Sequence, residues 1–175
     1  MTPTDADGRA APTLVGSLVR ALDEAPPYEL AEVLHQHLRD SVRARSCTIL
    51  LADYSEQTLE PVPAAGLAST LSSQLVDGSA AGAAYREQRV FAVPSHDGSV
   101  LYLPITQRQE RIGVLEVDIP AESAAAQGHL EEAARVLAYV IAAARRYTDR
   151  FERIRRRREL QLAAEMQWEL LPVLA

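Results

Sequence analysis

The chain opens with apolar residues at helical spacing. In "PTLVGSLVRALDEA" (12–25), Leu14, Leu18 and Leu22 share a stripe with Val15 and Val19, which predicts an amphipathic helix. Pro26-Pro27 ends it and starts the next. "YELAEVLHQHLRDSVRA" repeats the pattern with Leu30, Val33, Leu34, Leu38 and Val42. The period then shortens. "SCTILLA" (46–52) sets Cys47, Ile49 and Leu51 against Thr48, Leu50 and Ala52, as a strand does. "DYSEQ" is turn-like, and "TLEPVP" (58–63) predicts a second strand whose prolines point to a sheet edge. Residues 66–78 leave loop and irregular helix both open.

Beyond them, "GSAAGAAYREQ" (78–88) predicts a helix capped by Ser79, "RVFAVP" (89–94) a strand and "SHDGS" (95–99) a tight turn. "VLYLPIT" and "RIGVLEVDIP", joined by the polar "QRQE", form the strongest hairpin signal. In its second strand Gly113, Leu115, Val117 and Ile119 share a face, with Glu116 and Asp118 opposite. That opposite pair reads as a solvated strand face.

From Gln127 to Leu171 nothing breaks a helix, so about 45 residues would extend roughly 65 Å. Much of that length should project from a small domain. Leu130, Leu137, Ala144 and Phe151 alternate with Ala133, Val140, Tyr147 and Ile154 on a seven-residue grid, a coiled-coil seam. The seam fails at Arg155–Arg158. It resumes in a shifted register, through Leu162 and Met166 or alternatively Leu160, Ala163, Gln167 and Leu170. The simplest partner for such a seam is a second copy, giving a homodimer through the terminal helices. The element order predicts an α+β fold, an antiparallel sheet with flanking helices. The expected organisation is a disordered tail (1–11), an N-terminal helix (12–25), a sheet-based core (26–126), a helical linker (127–171) and the start of a further domain (172–175).

Composition narrows the chemistry. All 18 basic residues are arginine, so lysine-dependent phosphate loops and Schiff bases are excluded. A net charge of −6 disfavours nucleic acid as a partner. One cysteine, Cys47, allows no disulfide framework. The N-terminus has neither a basic head nor an apolar run, and no apolar stretch nears membrane-spanning length, so a cytoplasmic protein with no membrane partner is expected.

His35 and His37 sit two residues apart on a helix and point away from each other, which disfavours a metal pair. Glu32 and His35 form one Glu-x-x-His, where a di-iron bundle needs two. Glu131-Glu132 suits a helix's first turn. No Gly-x-Ser-x-Gly elbow occurs. Neither a catalytic set nor a metal site is expected, and hence no enzyme activity in this chain.

"GSAAGAAYREQRVFAVP", "VLYLPI" and "RIGVLEVDIP" together resemble the second half of GAF domains. The tail "ELQLAAEMQWELLP" resembles the connector that precedes the catalytic domain of bacterial SpoIIE-type, PPM-family serine/threonine phosphatases. Its recurring positions fall here on Ala163, Met166, Gln167, Leu170, Leu171 and Pro172. The resemblance implies a GAF-like (PAS/GAF) sensor with the phosphatase domain absent. Mg or Mn is then expected only in that absent domain, and none in this chain. The resemblance further implies a phosphoprotein, such as an anti-sigma-factor antagonist, as the substrate of the parent phosphatase. The cyclic-nucleotide signature of GAF domains contains lysine and cannot be matched. Bilin attachment uses a cysteine followed by histidine, whereas Cys47 precedes Thr48. GAF-type methionine-sulfoxide reductases need more than one cysteine.

The leading expectation is therefore a dimeric sensor that binds an unknown small molecule and controls a C-terminal phosphatase through the broken seam. A ligand-free dimerisation module, or the sensor of a histidine kinase or transcription regulator, is the alternative. Tyr85, Arg86, His96 and Tyr102 are the candidate ligand-pocket residues, being polar or aromatic near strand and helix ends.

Overall fold

A computed structural model describes residues 14–63 and 72–145. Two helices, α1 (Leu14–Glu24) and α2 (Leu30–Val42), lead into strands β1 (Ser46–Ala52), β2 (Thr58–Pro61) and β3 (Gln74–Leu75). Helix α3 (Ala80–Glu87) follows, then β4 (Phe91–Ser95), β5 (Gly98–Gln107) and β6 (Glu110–Pro120). A 3₁₀ turn (Ala121–Ala126) delivers the chain to α4 (Gln127–Arg145). The strands form one antiparallel sheet in the order β3-β2-β1-β6-β5-β4, curled, with helices on both faces.

The α+β sheet with flanking helices expected from the periodicity is thus present. Three details differ. Residues 66–78 contain a strand, β3, which two residues are too few to reveal by alternation. Consequently β2 is not the edge of the sheet. Its Pro61 is tolerated because β3 pairs only with Thr58 and Leu59 and stops short of the proline. The third concerns Gly113. The β5–β6 register shifts between Ile105 and Thr106, so that Ile112 is an extra residue there. Ile112 and Leu115 both enter the same core, and Gly113 between them lies against the β1 backbone. A Cβ there would stand 1.9 Å from the Leu50 carbonyl oxygen.

The larger core lies between the sheet and α1, α2 and α4. Leu18 and Leu22 of α1, Leu34 and Leu38 of α2, and Leu130, Leu137 and Ile141 of α4 close over Ile49, Leu51, Leu103, Leu115 and Val117. Each such side chain stabilises the fold by about 1.5–3 kcal/mol through burial alone. The smaller core lies on the other face, where α3 presents Ala81, Ala84 and Tyr85 to Leu50, Ala52, Leu59 and Val114. This explains why "SCTILLA" is apolar on both sides: both faces of β1 are covered. Ser79 caps α3 as its position predicts, its Oγ accepting from the Gly82 N–H at 2.9 Å. Gly82 lies so close to the Val76 backbone that a Cβ would meet its carbonyl oxygen at 1.9 Å.

The seam predicted along the C-terminal helix divides. Leu130, Ala133 and Leu137 are buried in the domain's own core, while Val140 and Ala144 are half-buried at its margin. Tyr147, Phe151, Ile154, Leu162 and Met166 lie outside the described residues, as do the linker positions Ala163, Gln167, Leu170, Leu171 and Pro172. No described helix is long and apolar enough to cross a membrane.

Candidate functional site

The α3-facing side of the sheet carries one transverse row of polar and aromatic residues. Antiparallel register sets Thr48 of β1 opposite Glu116 of β6, Glu116 opposite Tyr102 of β5, and Tyr102 opposite Phe91 of β4. Directly opposed residues share a face, with Cβ atoms about 5 Å apart. The row is flanked by apolar residues, since Tyr102 and Phe91 pack on the cluster of Leu50, Tyr85 and Val114. Thr48 is 9% exposed and Glu116 is half-buried. From β3, Gln74 reaches across and donates its Nε2 to Glu116 Oε2 at 2.7 Å, a contact the curl of the sheet makes possible. Burial pushes the Tyr102 hydroxyl above its ordinary pKa, and the Glu116 charge adds to the effect.

Glu116 and Asp118 were expected to form a solvated face, and they do not. Asp118 is the anchor of a clamp at the end of the sheet. Arg45 forks onto it, with Nε at 3.0 Å from Oδ2 and Nη2 at 2.7 Å from Oδ1. The same guanidinium donates to the Asp97 carbonyl and to Ser95 Oγ, each at 3.0 Å. One side chain thus ties the entry to β1, the end of β6 and the β4–β5 turn together. Among the described residues no ion pair involves Glu116, two residues earlier.

The four candidates from the sequence fall in three places. Tyr85 is 1% exposed and forms the centre of the smaller core. Tyr102 packs on the same cluster from the sheet. Arg86, on the other side of α3, is exposed; it donates to the Val76 carbonyl at 2.7 Å and pairs with Asp77. His96 stands exposed in the β4–β5 turn, beside the Arg45 clamp. Tyr85 and Tyr102 are therefore brought together and Arg86 borders one hollow with Tyr85, whereas His96 lies apart in the β4–β5 turn. A hollow of about 510 Å³ between the two hairpin ends is lined by Gln57, Leu75, Val76, Tyr85, Arg86 and Arg111, among others. A second, of about 460 Å³, opens where β4 leaves the β5 edge, between Gln88, Arg89, Thr106 and Arg135.

Thr48, Gln74 and Phe91 were not singled out by sequence reasoning, and Glu116 was assigned to a solvated strand face. The one available signal was the apolar character of both sides of β1. It implied a covered second face, on which any polar residue would be half-buried.

Other titratable groups have structural explanations. Asp53 is 2% exposed in the β1–β2 turn, where its Oδ1 accepts from the Gln57 and Thr58 N–H groups at 2.9 and 3.1 Å. Burial raises its pKa, but hydrogen bonds from Ser55, Thr58 and Gln57 outweigh that and hold the carboxyl below its ordinary value. Burial pushes the Cys47 thiol up to about 12, with the Glu116 charge contributing. His37 and His129 border one small cleft between α2 and α4, but no group of three or more ligating side chains occurs among the described residues.

No family model matches the sequence, and no curated protein matches it either. Solved structures do match in shape. The GAF domain of an Acinetobacter phosphoenolpyruvate-protein phosphotransferase superposes with a TM-score of 0.61 at 17% identity, covering 77% of this chain and 94% of that one. The chain has a GAF fold. The GAF domain of the potassium sensor histidine kinase KdpD from Escherichia coli gives a TM-score of 0.54 at 17% identity, over 87% and 97% of the two chains. A free methionine-R-sulfoxide reductase from Neisseria meningitidis, solved with its substrate, gives 0.59 at 15% identity, over 77% and 90%. The GAF fold thus occurs in hosts of different activities, so the site must be argued from its own residues.

Proposed function

We propose that this chain is a sensor module: a small molecule binds over the transverse row of the sheet, and α4 carries the response to a C-terminal metal-dependent serine/threonine phosphatase. One observation carries the reading. β5 bears Tyr102 on the face of the row, and Leu101, Leu103 and Ile105 on the opposite face, where they pack in the core that α4 closes. A ligand that shifts β5 by a fraction of an ångström therefore acts on α4. Packed interfaces respond to such shifts by switching between discrete arrangements.

The phosphatase rests on the likeness of Ala163, Met166, Gln167, Leu170, Leu171 and Pro172 to the SpoIIE-type connector. Homodimerisation through the terminal helices supplies the seam's missing partner, and a phosphoprotein is the expected substrate of the parent enzyme. Sequencing the reading frame downstream of Ala175 tests the parentage. Metal-ligating aspartates following glycines are expected there; a kinase or DNA-binding domain overturns the phosphatase assignment and favours the alternative hosts. The sensor reading is tested separately, by native mass spectrometry of protein isolated gently from cells. A bound small molecule is expected, and its consistent absence favours a ligand-free dimerisation module.

A further inference from the structure

The hollow of about 460 Å³ at the β5 edge is lined by two arginines from separate elements. Arg135 comes from α4, and Arg89 from the link between α3 and β4. The hollow opens on the side of the sheet that α4 covers, since its lining includes Leu103 and Ala134 of the larger core. Val90 and Pro104, both half-buried, give it an apolar wall. Small-molecule sites have volumes in this range and combine apolar walls with a few placed polar groups.

Both guanidinium groups hold donors in reserve. Arg89 is stacked 4.0 Å over the Phe91 ring and gives its Nε to Glu87 at 2.8 Å, so its two Nη groups enter no described bond. Arg135 gives Nη1 to Glu132 at 3.2 Å, which leaves Nε and Nη2 outside any described bond. Those two ion pairs are exposed and weak, and neither glutamate lines the hollow. Gln88 is fixed by two contacts: Thr106 Oγ1 donates to its Oε1, and its Nε2 donates to the Tyr85 carbonyl at 2.7 Å. A carbonyl only accepts, so the amide nitrogen is placed there, and its second N–H enters no described bond. Gln127, Glu131 and Arg135 follow at four-residue spacing on one face of α4. Gln127 donates to Glu131 at 2.9 Å, and Glu131 is the one acid on the lining among the described residues. Two arginines against one glutamate leave the lining at +1, in a chain of net charge −6.

We propose that this hollow binds a small organic acid as its monocarboxylate. The carboxylate lies between Arg89 and Arg135, whose planar forks match its two oxygens, and Gln88 adds a neutral donor. The short apolar body of the acid rests against Val90 and Pro104. A single positive charge suits one carboxylate, while Glu131 opposes a second negative charge and so disfavours a phosphate dianion. A ligand held this way ties the entry to β4 directly to α4. The inference goes beyond the sensor reading above, whose ligand lies on the opposite, α3-facing side of the sheet.

The test uses the 175-residue chain at neutral pH and constant ionic strength, with butyrate and benzoate as probes. Butylammonium, benzyl alcohol and inorganic phosphate are the controls. Binding is followed by isothermal titration and by the side-chain resonances of Arg89, Arg135 and Gln88. Saturable binding of at least one carboxylate is expected, with shifts at those three side chains and clearly weaker binding of every control. Arg89→Gln and Arg135→Gln should each weaken the carboxylate roughly tenfold, as loss of a charge-assisted pair does. Arg43→Gln removes an equal charge from an exposed pair away from the hollow and should leave binding unchanged. Glu131→Gln should tighten binding several-fold, because the opposing charge goes while an acceptor for Gln127 stays. These four side chains belong to exposed or half-buried residues, so each variant should melt close to the parent protein. Failure of both carboxylates to saturate, equal binding of any control, or an equal loss in Arg43→Gln overturns the inference. So does undiminished binding by both arginine variants in the hollow, or weaker binding by Glu131→Gln. A ligand recovered over the row from a protein that ignores both carboxylates refutes this site alone and leaves the sensor reading standing.

Discussion

Adding one methyl group at Gly113 should damage the fold far more than the same change at Gly128. At Gly113 the new Cβ would stand 1.9 Å from the Leu50 carbonyl oxygen and 3.0 Å from the Leu50 carbonyl carbon and Leu51 Cα. These are main-chain atoms of the neighbouring strand, so no rotamer change can relieve the clash. Restoring an ordinary carbon–oxygen contact of about 3.2 Å needs roughly 1.3 Å of strand separation, well beyond what an N–H···O bond tolerates. At least two ladder bonds around the Leu51–Gly113 and Leu50–Val114 pairs are then lost in a buried sheet centre. At about 1–3 kcal/mol each when left unsatisfied, the destabilisation should be roughly 3–5 kcal/mol. For a domain of this size that lowers Tm by about 10 °C. In Gly128→Ala the Cβ meets nothing within 4 Å, at the start of α4. There, reduced freedom of the unfolded chain should stabilise by about 0.4–1 kcal/mol and raise Tm by a few degrees. Thermal unfolding followed by circular dichroism reads both. A Gly113→Ala protein melting within about 2 °C of the parent would refute the β1–β6 register and the bulge that sets it.

Three further outcomes follow from the same geometry. Asp53→Asn should cost about 1–3 kcal/mol, because the amide oxygen serves the Gln57 and Thr58 N–H groups without a charge, while the Ser55 hydroxyl loses its carboxylate acceptor. Since the folded carboxyl is held below its ordinary value, its contribution is complete above about pH 4 and is lost as pH falls through the folded pKa. Acid titration of parent and variant should therefore converge at low pH, and parallel curves would refute this. Cys47, with its thiol pushed up to about 12, should resist alkylation by iodoacetamide at pH 8 until the protein unfolds; rapid labelling of native protein would contradict the packing assigned to β1. Arg45→Gln should speed amide exchange in the turn from Ser95 to Gly98 while leaving α3 unchanged, and unaltered exchange in that peptide would show that the clamp is idle.

Much of the architecture was legible in local pattern. Leu18, Leu22, Leu34 and Leu38 specify α1 and α2 by their spacing, and the alternation after Gly98 specifies the β5–β6 hairpin, because period follows from backbone geometry alone. Ser79 marked the start of α3 for the same local reason. The linker resemblance, too, is a property of the sequence, and its positions fall beyond the described residues.

What the tertiary structure decided is everything that depends on which strands are neighbours. β3 is too short to announce itself, and exists because β2 offers it an edge at Thr58 and Leu59. Leu130 and Leu137 fit a two-chain seam equally well in sequence, yet both lie in their own domain's core, since α4 returns across β5. Glu116 and Asp118 look alike along β6, two residues apart on one face. Asp118 meets Arg45, from a loop 73 residues earlier, and becomes structural. Glu116 lies between Thr48 and Tyr102 and takes a neutral hydrogen bond from Gln74. Spacing along a strand fixes which side a residue faces; only the pairing of strands fixes what it faces there.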